Sequence, residues 1–145
     1  MIGGVTFMMR MHEIAHYGRW FPFENRIFPY WWYDKISEKD INIDELCSYM
    51  KYNGVNEIDV DDCLYAGKIP FFRVNIPELE FKYAKVFMSE QVRKMVKLNM
   101  EEMDVFFRKC IEEKNLTAHW YRYELNVLTA EARKWCHDNG IPYRE

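Results

Sequence analysis

Residues 12–16 read His-Glu-Ile-Ala-His. On a helix, two imidazoles four residues apart project from one face and can share a metal ion, while the glutamate between them can take a proton from metal-bound water. The chemistry implied is zinc-dependent hydrolysis, with His12 and His16 as ligands and Glu13 as general base. A third ligand is needed. The nearest carboxylate that fits is Glu24, beyond His16, while His119 and His137 are remote in sequence. Arg10 stands two positions upstream, where such motifs carry an uncharged residue. The competing reading is an amphipathic helix that happens to spell the motif, and it is the reading favoured here. Zinc is therefore an alternative and no cofactor is favoured. Met8, Met9 and Met11 also offer translation starts close to His12.

The second concentration of chemistry is aromatic. Residues 19–33 contain Trp20, Phe21, Phe23, Phe28, Tyr30, Trp31, Trp32 and Tyr33, interrupted by Pro22 and Pro29. Proline lacks a ladder donor and fixes φ, so this segment is expected to be an irregular arm and not a continuous helix or central strand. Such density in an irregular segment suits recognition, because Trp and Tyr, with Arg, dominate binding hot spots. Trp20, Phe21, Phe28, Tyr30, Trp31, Trp32 and Tyr33 are the expected partner-binding residues.

The elements that must position these residues follow from spacing. Asn42 with Glu45 three residues on is a capping-box pattern, and Ile43, Leu46, Cys47 and Met50 then recur at helical intervals, which predicts a helix over 43–52. Between Asn53 and Asn75 the pattern shifts to alternation around Ala66-Gly67-Lys68, which predicts a β-hairpin with Pro70 on an edge. From Ser89 onward the chain reads as helical. Val92, Met95 and Val96 stripe one helix, Asn99 and Glu102 cap the next, and Tyr121, Leu125, Leu128, Ala132 and Trp135 stripe the last, which stops at Asp138-Asn139-Gly140.

Charge and cysteine content exclude several classes. With 145 residues and a net charge of −3, the chain fits one domain with a real core and lacks the basic footprint of a nucleic-acid binder. Cys47, Cys63, Cys110 and Cys136 form no paired motif, which fits reduced thiols in a cytoplasm. No apolar run approaches the roughly 20 residues of a membrane span. Cys136-His137 has the composition of a nucleophile pair, but adjacent helix residues point about 100° apart.

The C-terminal block, from Phe107-Arg108-Lys109 through Trp120-Tyr121-Arg122-Tyr123 to Ala132-Arg133-Lys134-Trp135 and Asp138-Asn139-Gly140-Ile141, resembles the uncharacterised protein family 0158. The resemblance extends over about residues 41–141 and implies an α+β fold, with no activity to carry over. Residues 1–40 then form an aromatic-rich N-terminal extension.

Together these readings predict a single α+β domain, a small antiparallel sheet or hairpin packed on a C-terminal layer of helices. The expected function is non-enzymatic: a small intracellular protein that binds another protein or itself, as a regulator or inhibitor would. The alternatives are a zinc hydrolase built on residues 12–16 and a small-molecule binder that uses the arm as a lid.

Overall fold

The structure, a computed structural model, describes residues 8–24, 29–55 and 57–145. It is α+β, and its order runs β1 (Met9–Arg10), α1 (Met11–Tyr17), β2 (Arg19–Trp20), a 3-10 turn at Pro22–Glu24, β3 (Trp31–Asp34), β4 (Lys39–Asn42), α2 (Ile43–Tyr52), α3 (Val60–Tyr65), β5 (Lys68–Pro70), β6 (Val74–Asn75), α4 (Ile76–Phe87), α5 (Ser89–Met95), α6 (Met100–Glu113), α7 (Thr117–Asn139) and β7 (Tyr143–Arg144).

Caps explain most helix starts. Asn42 and Asn99 each accept from the backbone N–H three residues on while Glu45 and Glu102 reach back, so α2 and α6 begin on complete capping boxes. Asp59 and Asn75 cap α3 and α4 by accepting from the N–H of Asp62 and Glu78, and Pro77 sits in the first turn of α4, where its missing N–H costs nothing. Gly140 ends α7 at φ 64°, in the left-handed region where a Cβ would be strained. The predicted helices at 43–52 and beyond residue 89 are present. The sequence reading had no counterpart to α4, although the Asn75-to-Glu78 cap marks its start.

The hairpin expected between Asn53 and Asn75 does not form. Residues 60–65 are helical because Asp59 caps them, and β5 pairs antiparallel with β3, not with its own neighbour in sequence. The three-stranded sheet has the order β4-β3-β5, so the arm supplies its central strand. Pro22 and Pro29 were expected to forbid this, but both precede Trp31, where no ladder donor is required. Pro70 does lie on an edge strand, as expected.

Alternation along β3 divides the core. Trp32 points to one face, with Ile41, Leu46, Met50 and Cys63, while Trp31 and Tyr33 point to the other. That second face meets the main core, where α1 lies along α7 and α6 packs on both α4 and α7. At its centre Tyr83, Phe107 and Trp120 meet edge to face, with ring centroids 4.8–5.8 Å apart. Two short parallel pairings, β1 with β7 and β2 with β6, tie the first described segment to later parts of the chain. All four cysteines are free thiols. Among the described residues no helix is long and apolar enough to cross a membrane.

Candidate functional site: the arm cleft

The end of α1, the strand β2 with its following turn, residues 29–31 and residues 71–73 enclose a cavity of about 150 Å³. Six residues singled out from sequence line it: His16, Trp20, Phe21, Glu24, Tyr30 and Trp31. The metal and partner readings thus converge on one place. Six residues that sequence reasoning did not select as site residues complete it: Tyr17, Arg19, Pro29, Phe71, Phe72 and Arg73.

Local structure explains each wall. Gly18 closes α1, and its carbonyl accepts from Val74 N at 2.7 Å, which starts the parallel β2–β6 pairing and brings residues 71–73 beside the arm. A Cβ at position 18 would fall on the Phe72 ring, so only glycine permits this approach. Tyr17 stacks at a tilt on Trp31 (4.6 Å between centroids) and meets Phe71 edge-on (4.8 Å). Its hydroxyl donates to Asp40 Oδ2 at 2.5 Å, and burial together with that carboxylate pushes its pKa far above the usual tyrosine value. Phe71 continues the stack onto Trp135, 4.5 Å away and 23° from parallel, whose indole N–H donates to the Pro70 carbonyl. The floor of the cleft is therefore fastened to α7.

The polar groups at this wall include the guanidiniums of Arg19 and Arg73 and the Glu24 carboxylate. Arg73 lies over the Trp20 ring at 5.0 Å and Arg19 over Phe21 at 5.5 Å, both cation–π contacts. Arg19 also pairs with the buried Glu124 of α7 at 3.4 Å. The Trp20 indole N–H is buried and meets no hydrogen-bond acceptor among the described residues, whereas the Arg19 Nε sits against Glu124 Oε1. An acceptor oxygen on an occupant would answer that indole.

The metal reading has less geometry behind it. Met11, Ile14 and Ala15 form the buried face of α1, which leaves His12, Glu13 and His16 on its exposed side. Among the described residues no three His, Cys, Asp or Glu side chains come together in a way that could hold a metal ion. His119 is engaged elsewhere, with Nδ1 2.7 Å from the Tyr83 hydroxyl, and the His137 side chain is exposed. Cys136 is buried, which pushes its thiol up to about 11, and it does not face His137 across a hydrogen bond. No nucleophile–base pair results.

Of the expected partner-binding residues, Trp32 and Tyr33 are buried in the two cores, so they hold the fold and are not available to a partner; the pleat of β3 turns them inward. Trp20, Phe21, Tyr30 and Trp31 are half-buried at the cleft. Phe28 lies outside the described residues. Phe71-Phe72-Arg73 repeats the aromatic and basic composition of the arm, a signal present in the sequence, but only the β2–β6 pairing reveals that the two stretches meet. Comparison with known proteins returns no family model, no curated protein and no solved structure that matches this chain.

Proposed function

We propose that the protein is a non-enzymatic binding protein that holds one side chain of another protein in the arm cleft. The observation that carries this reading is the size of the cavity together with its lining. Small-molecule and cofactor sites run to roughly 300–1,000 Å³, whereas this one is about 150 Å³. A cavity of roughly that size holds a single benzene ring when its walls are apolar, and here the rings of Trp20, Phe21, Tyr30, Trp31 and Phe71 stand beside polar groups. The cavity suits one aromatic side chain better than a substrate or cofactor, and the Arg73 guanidinium over the Trp20 ring together with the unmet Trp20 indole N–H favours an acceptor oxygen beside that ring. The four free cysteines, three of them buried, fit the expected reducing environment. The resemblance to the uncharacterised family 0158 adds no activity to this reading.

A selection of displayed random peptides against the folded protein tests it. Enriched peptides should share an aromatic residue flanked by Asp or Glu, and their binding should fall at least tenfold in Arg73→Ala and in Tyr30→Ala. Both variants should keep the parent melting temperature, since neither residue is buried. Failure to enrich any motif, or binding that survives both changes, would overturn the proposal.

A further inference from the structure

Large apolar side chains left in solvent gather on the lobe made by α2, α3 and the turn between β3 and β4. Ile36 is 74% exposed, Tyr52 89% and Tyr65 97%, and Tyr49 and Leu64 are exposed beside them. Ile36, Tyr49 and Tyr65 stand around a groove of about 630 Å³, with Met50, Val55 and Ala66 deeper in its wall. The arm cleft, at about 150 Å³, has room for one ring, whereas this groove has room for more than one side chain, and the two share no residue. An apolar patch of this kind marks a contact surface. Its charge is one-sided. From Tyr52 to Gly67 the chain carries Glu57, Asp59, Asp61 and Asp62 and no basic side chain. Asp59 is engaged as the cap of α3. Asp61 and Asp62 are exposed and pair with no lysine or arginine among the described residues. Asp62 lines the groove, and Tyr65, three residues on along α3, stands on the same helical face. Helix α2 ends at Tyr52, so the negative end of its dipole adds to that field. The bases of the lobe leave it uncompensated. Lys68 is buried, its ammonium 3.0 Å from Asp34 and 3.9 Å from the centre of the Tyr49 ring. Lys51 lies two residues from Tyr49, about 200° round the helix from it. Lys35, whose backbone N–H donates to the Gly67 carbonyl, sets one exposed ammonium against the two carboxylates of Asp61 and Asp62.

We infer that the groove between α2 and α3 docks an arginine-bearing basic segment of another protein, on a face separate from the arm cleft. The guanidinium stacks on the exposed Tyr65 ring and pairs with the Asp62 carboxylate, while its methylene stem lies along Ile36 and Val55. Arginine fits better than lysine, because a planar guanidinium can stack on a ring and meet a carboxylate at once. The Lys68 ammonium on Tyr49 is the same kind of cation–π contact, made from within the fold. Charge complementarity selects a basic partner and repels an acidic one. Both groups that meet the guanidinium are solvent-exposed, so the contact is weak and falls with salt.

Titration of the isotope-labelled protein with an unlabelled peptide of alternating arginine and alanine, followed by amide chemical shifts, tests this. Shifts should move at Asn53, Asp62, Tyr65, Ala66 and Gly67 and stay still at Arg19, Trp20, Phe72 and Arg73. Tyr65→Ala and Asp62→Asn should each weaken binding by about fivefold while melting close to the parent, since both side chains are exposed. Asp44→Asn, which removes an exposed carboxylate of the same lobe outside the groove, should bind like the parent. A lysine version of the peptide should bind more weakly, and a glutamate version should not bind. No binding of the arginine peptide, equal binding of the lysine peptide, or an equal loss in Asp44→Asn and Asp62→Asn overturns the inference. So does a parent that self-associates through Tyr65 in sedimentation equilibrium, since a second copy would then fill the groove. Arg73→Ala should bind the arginine peptide like the parent, so failure here leaves the reading of the cleft untouched.

Discussion

At neutral pH the Glu80 carboxyl keeps its proton. It is fully buried on α4, and its pKa rises to about 10, first through burial and then through Asp104 across the α4–α6 contact. Arg108, 3.5 Å away, and the buried Glu124 are the other charged groups around it. Neither Glu80 oxygen finds a donor in hydrogen-bond geometry, which suits a neutral acid that donates its own proton to Asp104. The unfolded chain ionises near 4.5, so between that value and about 10 unfolding releases a proton and stability falls as pH rises. The slope approaches about 1.4 kcal/mol per pH unit. Asp34 has the opposite sign: burial alone would raise its pKa, but hydrogen bonds from Ser37, Lys68 and the Ile36 N–H outweigh that and hold it low. Its contribution is lost only in acid, below the window in question. Glu80→Gln should therefore flatten the decline seen by denaturant titration between pH 5 and 9, and gain on the order of 3 kcal/mol over the parent at pH 7. A parent whose stability is level across that range would contradict the assignment. Glu80 was invisible to sequence reasoning, because a glutamate within Pro77-Glu78-Leu79-Glu80 reads as surface until α4 is docked on α6 and α7.

Each element was legible to the extent that its signals were local. Asn42 with Glu45, and Asn99 with Glu102, marked helix starts because a capping box lies within four residues. Gly140 marked a helix end for the same reason. The strands were not legible, since β1, β2, β6 and β7 are two residues each and have no period to read. The stretch from Asn53 to Asn75 misled, because Asp59 is equally a turn residue and a helix cap; only the choice of β3 as partner for β5 decides between them. Of the site, the aromatic and metal residues were legible by type, whereas Arg19 and Arg73 acquired meaning only through the meeting of β2 with β6. Gly18 tests that junction. Gly18→Ala would drive a methyl group into the Phe72 ring, which has the Trp135 ring on another side at 6.1 Å between centroids. Overpacking of this kind typically costs about 1–3 kcal/mol. The variant should fold with a lowered melting temperature and bind cleft-selected peptides at least tenfold more weakly, whereas Gly54→Ala, where nothing lies within 4 Å of the new methyl, should leave peptide binding unchanged. Equal peptide affinity in Gly18→Ala and the parent would show that Phe72 is not a wall of the binding site.

Across the whole molecule, the β1–β7 pairing joins Met9 to Tyr143 and Arg10 to Arg144. The buried Ile141, just before β7, adds its side chain to the same core as Met9 and Met11. This closure has a consequence for synthesis. At roughly 5–20 residues per second, on the order of ten seconds separate the emergence of Met9 from that of Tyr143. Throughout that interval α1 has neither its strand partner nor the helix α7 against which it packs. The apolar face of Met11, Ile14 and Ala15, together with the aromatic arm, is exposed to every chaperone and protease near the ribosome. Nascent chains stalled with β7 still in the exit tunnel should be cleaved by added protease within residues 8–24, whereas chains extended by a flexible linker that lets β7 emerge should be protected there. Equal cleavage of the two would mean that residues 8–24 close on β6 without waiting for β7.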